Sequence, residues 1–128
     1  MTVKRVLVVD DEIHIVHVVA IKLRNNGYEV LTAENGQQAY EIAAAEKPDI
    51  IVTDCQMPVM DGLGLVEKLR SDEELKNIPV IMLTARSFDI DEDIKQNLNI
   101  SECLSKPFSP KELLRNIEDV LFSTATNI

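Results

Sequence analysis

The chain has 128 residues, which suits one domain able to bury a core of its own. Hydrophobic residues make up 45% of it and aromatic residues only 4%, with no Trp, so that core must be aliphatic. A formal net charge of −9 gives a surface that repels phosphate backbones, which excludes direct nucleic-acid binding as the expected role.

The first apolar run, residues 4–9, ends in Asp10 and Asp11. In the helical pattern that follows, Ile15, Val19 and Leu23 sit at i, i+4 spacing and form the expected core stripe. Ile13, Val16, Val18 and Ile21 are more apolar positions than one face can use, so part of this helix is expected to face solvent or a partner. Gly27 ends the helix, and a second strand spans residues 29–33. Asn35-Gly36 precedes a second helix that turns Ala39, Ile42 and Ala43 inward. The third strand, residues 50–53, leads into Asp54-Cys55-Gln56-Met57-Pro58-Val59-Met60-Asp61-Gly62, and Leu65, Val66 and Leu69 mark a third helix.

A fourth strand, residues 80–84, ends at Thr84, after which Ile90, Ile94 and Leu98 mark a fourth helix. The fifth strand, residues 102–105, is followed at once by Lys106. Ser109-Pro110-Lys111-Glu112 is a capping box with Pro at the first helical position. It opens a last helix with one apolar stripe, Leu113, Leu114, Ile117 and Leu121. The first, third and fourth strands are apolar at consecutive positions, as in strands covered by helices on both faces. Alternating βα units of this length imply an α/β domain with a parallel sheet and right-handed crossovers. The domain is expected over residues 1–122, with 123–128 a C-terminal tail or the start of a linker.

Cys55 and Cys103 lack CxxC spacing and read as small apolar core side chains, neither a zinc site nor a disulfide framework. No signal-peptide pattern leads the chain and no apolar stretch approaches bilayer length, so a cytoplasmic protein is expected.

The chemistry gathers at strand ends. Parallel strands deliver their C-terminal ends to one edge, the place where open α/β sheets bind ligands. If the first and third strands are neighbours, Asp10, Asp11 and Asp54 converge there. Carboxylates a few ångströms apart repel by roughly 1–4 kcal/mol per pair. A divalent cation relieves that repulsion, and Mg²⁺ suits oxygen ligands. Asp54 is the nucleophile candidate, because a carboxylate can form an acyl phosphate directly. Lys106 supplies a point charge for phosphoryl oxygens and Thr84 a hydroxyl. Singly, Asp11 also suits a helix cap, Thr84 a strand-end hydroxyl and Lys106 a surface lysine. The set at four strand ends is what points to phosphoryl chemistry.

Val8-Val9-Asp10-Asp11, the run from Asp54 to Gly62, Thr84-Ala85 and Lys106-Pro107-Phe108 stand in an order and spacing that resembles the receiver domain of two-component response regulators. The resemblance covers residues 4–121 and is carried by the ordered set. It implies a flavodoxin-like (βα)5 fold, a five-stranded parallel sheet of order 2-1-3-4-5 with helices on both faces. It further implies that Asp54 is the phosphoacceptor, served by a histidine kinase or a histidine phosphotransfer protein. Asp10, Asp11, Asp54 and the backbone carbonyl of Gln56 would hold Mg²⁺, and Thr84 and Lys106 would contact the phosphoryl group. The Lys106-Pro107 bond is expected to be cis. Gln56 and Arg86 would edge the site, while Ile15, Val18 and Pro107 would meet the donor. The output implied is a downstream protein, a missing effector domain, or a dimer formed on phosphorylation. Phosphorylation and dephosphorylation would be self-catalysed, without enzyme activity toward other substrates.

Two departures qualify the likeness. The aromatic residue usual three positions before the lysine is Cys103, and the Gly-Ala pair usual after the fourth helix is Asn99-Ile100. The alternative is therefore a pseudo-receiver, or a relay module without the aromatic-coupled switch. A phosphatase using an aspartyl phosphate would place a second Asp two residues after its nucleophile; Gln56 stands there, so that pattern fails. His14 and His17 lie at i, i+3 and read as surface residues of a docking face.

Overall fold

A computed structural model describes residues 3–85 and 90–126. Five strands alternate with five helices among those residues: β1 (Arg5–Val9), α1 (Ile13–Asn25), β2 (Glu29–Ala33), α2 (Gly36–Glu46), β3 (Ile50–Asp54), α3 (Gly62–Arg70), β4 (Val80–Thr84), α4 (Glu92–Asn97), β5 (Glu102–Ser105) and α5 (Pro110–Thr126). All strand pairs are parallel, in the order β2-β1-β3-β4-β5. This is the expected doubly wound α/β sheet.

Successive strand residues point to opposite faces, so each continuous apolar run feeds two cores. Val6, Val8, Ile50, Val52, Ile81 and Leu83 pack on the α1 and α5 side. Leu7, Val9, Ile51, Val80 and Met82 pack on the side of α2 and α3. The expected stripe of α5 is buried in the first core, and Glu112 N–H donates to Ser109 Oγ at 3.0 Å to cap that helix. α5 continues through residues 123–126, the stretch expected to begin a tail or linker.

Two expectations are corrected. In α1 the buried residues are Val16, Val19, Ala20 and Leu23; Ile15 stands at the rim of the core, one position out of phase with the expected stripe. The fourth helix is shorter than the Ile90, Ile94, Leu98 spacing implied. Asp91 caps it by accepting from Ile94 N–H at 2.9 Å, so Ile90 is buried ahead of the helix and Leu98 is its C-cap. Asn99 does take the left-handed conformation, with φ 53°, and the Lys106-Pro107 bond is cis.

The backbone ladder reaches one residue past several strands, into the acidic edge. Asp10 N–H donates to Ala33 O at 3.2 Å, Cys55 N–H to Leu83 O at 2.8 Å, and Lys106 N–H to Thr84 O at 2.8 Å. The side chains that carry the chemistry therefore start from backbone as fixed as the sheet.

Candidate functional site

Val9 pairs with Thr53 and Asp54 with Leu83, which puts the ends of β1, β3 and β4 side by side. Carboxylate oxygens of Asp10, Asp11 and Asp54 all lie within 4.8 Å of one another. Asp10 and Asp54 are buried, while Asp11 is exposed. Asp10 is oriented by the Glu12 N–H, which donates to its Oδ1 at 2.9 Å. Asp11 does not cap α1; the N-cap is Glu12, and its side chain makes no capping bond.

Lys106 enters from the β5 side as the counter-ion. Its Nζ lies 3.0 Å from Asp10 Oδ2, 3.2 Å from Asp54 Oδ1 and 3.3 Å from Glu12 Oε1. Burial works against the ammonium, but the bonds to Asp10 and the charge of Asp54 outweigh it and raise its pKa. Asp54 moves the other way. Burial, and then the neighbouring charge of Asp10, push its carboxyl up to about 6, against the pull of Lys106. One ammonium beside three carboxylates leaves the edge short of positive charge.

The donors are oxygens throughout. Cys55, next to Asp54, is buried in the core on the α2 and α3 side. A set of hard oxygen ligands with no imidazole or thiolate fits Mg²⁺ and not a soft metal. A pocket of about 350 Å³ opens over the cluster, lined by Asp11, Glu12, Asp54, Gln56, Ala85 and Lys106. Thr84 is buried at the end of β4, beside Ser105 in register, and does not line that pocket. Arg86 lies outside the described residues.

Glu12 is the residue that sequence reasoning missed. It was visible only as the acid after Asp10-Asp11, and its reach to Lys106 spans the chain from the first strand end to the last. Cys103 is half-buried on β5, opposite Met82, and burial raises its thiol pKa. His14 and His17 are exposed, and His14 Nε2 stands 3.8 Å from Glu12 Oε2. Beside the site lies an apolar groove of about 470 Å³. Ile15, Val18, Phe108 and Pro107 line it, with Glu12 and Lys106 at its site end. Ile13, Val18 and Ile21 are exposed, Val18 by 52%, so three of the four surplus apolar positions of α1 face outward, while Val16 joins the core.

Residues 6–118 match the family described as response regulator receiver domain. The phosphate regulon transcriptional regulatory protein PhoB of Pseudomonas aeruginosa is 42% identical over 97% of this chain and 54% of its own length. The alkaline phosphatase synthesis transcriptional regulatory protein PhoP of Bacillus subtilis is 37% identical over 92% of this chain and 48% of its own. The chain thus spans about half the length of these relatives. Among solved structures, the chemotaxis response regulator CheY4 of Vibrio cholerae superposes with a TM-score of 0.87 at 36% identity, covering 94% of this chain and all of that one. No helix among the described residues is long and apolar enough to cross a membrane.

Proposed function

The chain belongs to the response regulator receiver domain family, and from that premise we propose that it accepts a phosphoryl group on Asp54 within a two-component phosphorelay and answers with altered protein contacts. The observation that carries this reading is the convergence of Asp10, Asp11 and Asp54 within 4.8 Å, with the Lys106 ammonium 3.2 Å from Asp54. An Asp54 oxygen attacks phosphorus while the bond from phosphorus to the donor's imidazole nitrogen breaks; the ring, protonated at its other nitrogen, keeps the electron pair and leaves as neutral histidine, and Asp54 becomes an acyl phosphate. Asp10, Asp11, Asp54 and the Gln56 carbonyl would hold Mg²⁺. When bound, that ion neutralises charge on the phosphoryl oxygens. Lys106 would leave Asp54 for those oxygens as the carboxylate becomes an ester-like neutral group. Thr84, at the neighbouring strand end, would supply a hydroxyl to the same group.

The donor is a histidine kinase or a histidine phosphotransfer protein. The groove of Ile15, Val18 and Pro107 beside the site gives it an apolar seat, with exposed His14 at its edge. The receiver unit is assigned to residues 1–122 and residues 123–128 to a C-terminal tail or the start of a linker, into which α5 runs on as far as Thr126. It turns over only its own phosphoryl group and works in the cytoplasm. The output is a downstream protein, an effector domain such as the longer relatives have room for, or a phosphorylation-dependent dimer. With a charge of −9, the domain itself leaves nucleic acid to others. Cys103 favours a second version, in which the domain relays phosphoryl groups or switches through Thr84 and α4 without an aromatic rotor.

The test is intact-protein mass after incubation with acetyl phosphate, with and without Mg²⁺. A single Mg²⁺-dependent phosphoryl adduct, absent from Asp54→Ala, is the expected result. No adduct on folded wild type, with either acetyl phosphate or a phosphorylated histidine phosphotransfer protein, overturns the reading.

A further inference from the structure

The loop joining β3 to α3 is fixed at two points. At its base, Gly62 N–H donates to Cys55 O at 2.8 Å. A Cβ on Gly62 would run into the Asp54 carbonyl oxygen and stand 2.8 Å from Met82 Sδ, so only glycine lets the chain close there. At its far end the loop is held by a different βα unit. Gly36, the first residue of α2, donates its N–H to Met60 O at 2.9 Å. A Cβ on Gly36 would stand 2.5 Å from that oxygen and 2.8 Å from Met60 Cγ.

Between the two fixed points the backbone is strained. Met60 N–H donates to Pro58 O at 2.8 Å, an i to i+2 bond that closes a γ-turn around Val59 at φ 70°. A β-branched residue in this region is strained and persists only where its surroundings force it. The Val59 side chain is 81% exposed, so packing does not hold it. The bonds at Gly36 and Gly62 hold it, together with Met57 and Met60 packed against the core on either side.

We propose that Gly36 is a positioning residue for the metal: by gripping the Met60 carbonyl it keeps the strained turn at Val59 in place, and through that turn it sets where the Gln56 carbonyl stands relative to Asp54. This rests on the reading that Gln56 and the three aspartates hold Mg²⁺. The grip comes from α2, an element that contributes no residue to the acid cluster itself.

Mg²⁺ titrated into the isotope-labelled apo protein, with amide chemical shifts read by NMR, tests it without any turnover. In Gly36→Ala the dissociation constant rises roughly 10-fold or more, the range seen when an outer-shell partner of a metal ligand is lost. Val59→Pro, which cannot take φ 70°, gives the same weakening from an exposed position, whereas Val59→Gly keeps wild-type affinity. Gly27→Ala is the control: Gly27 has φ 92° and nothing near its Cβ position, so alanine strains the fold far from the loop and leaves Mg²⁺ affinity unchanged.

Wild-type affinity in folded Gly36→Ala overturns the proposal, as does an equal loss in Gly27→Ala. If Gly36→Ala does not fold, Val59→Pro decides, and wild-type affinity there is equally fatal. Failure of the wild type to bind Mg²⁺ would instead strike the reading of the site.

Discussion

Asp54 is buried beside Asp10, and its carboxyl resists ionising even with Lys106 at hand. Its folded value of about 6 lies above the ordinary 3.8, so the native state favours the protonated form. That favourable contribution is complete below about pH 4 and fades as pH rises through 6. In metal-free protein the ionised group then costs up to about 3 kcal/mol at pH 7.5. Asp54→Asn removes the cost, so the variant unfolds at higher urea than wild type at pH 7.5, and the two converge near pH 4. Urea midpoints in EDTA across this range check it; a gap independent of pH would show that burial of the charge is not the cause. Glu12 belongs to the same balance. It shares the Lys106 ammonium with Asp10 and Asp54, and it is the one of the three at the surface. Sequence reading found the members of this site that sit at strand ends, since the end of an apolar run is itself a signal. Glu12 gave none, because its role depends on where a lysine 94 residues later arrives.

Among the elements, α4 is the one least tied to the core: none of its residues is buried. Its C-terminal end is held instead by Arg70, the last residue of α3. The guanidinium donates to the carbonyls of Leu98 at 2.8 Å, Asn99 at 3.1 Å, Lys76 at 2.9 Å and Ile78 at 2.8 Å. Burial pulls its pKa down, yet arginine stays charged and keeps its planar fork. Arg70→Met leaves these carbonyls without that donor and costs about 2 kcal/mol or more. Amide exchange quickens in residues 92–99 before it does in β1 or β3; uniform quickening across the sheet would refute a local role. A side chain joining turns nearly thirty positions away leaves no periodicity to read, which is why Arg70 passed unnoticed. The extent of α4 was hidden for another reason. Ile90 keeps helical spacing with Ile94 although it lies ahead of the N-cap Asp91, and Asp91 followed by Glu92 and Asp93 was the truer start signal. In α1 the stripes through Ile15 and through Val16 are both apolar, so composition does not choose the phase. β1, β3 and β4 were legible almost to the residue, because a parallel strand covered on both faces is an unbroken apolar run with sharp ends.

The molecule as a whole is a sheet with two separate cores. Leu69 is fully buried in one and Ile117 in the other, and the sheet stands between them. Leu69→Ala and Ile117→Ala should each cost about 2–5 kcal/mol. Because they share no partner, the losses should add to within about 0.5 kcal/mol in the double variant, provided it folds. Denaturant curves of the four proteins give the coupling, and a value well above 1 kcal/mol would mean that the sheet transmits strain from face to face. The common direction of the strands has a practical side. β1 starts at the pole opposite the acids, and α5, 17 residues and about 25 Å long, carries the chain back toward that same pole. A dye or a sensor chip attached through a cysteine placed at exposed Val3, just ahead of β1, or at exposed Phe122, late in α5, therefore sits on the far side of the molecule and leaves the reactive edge free to meet a visitor from solution.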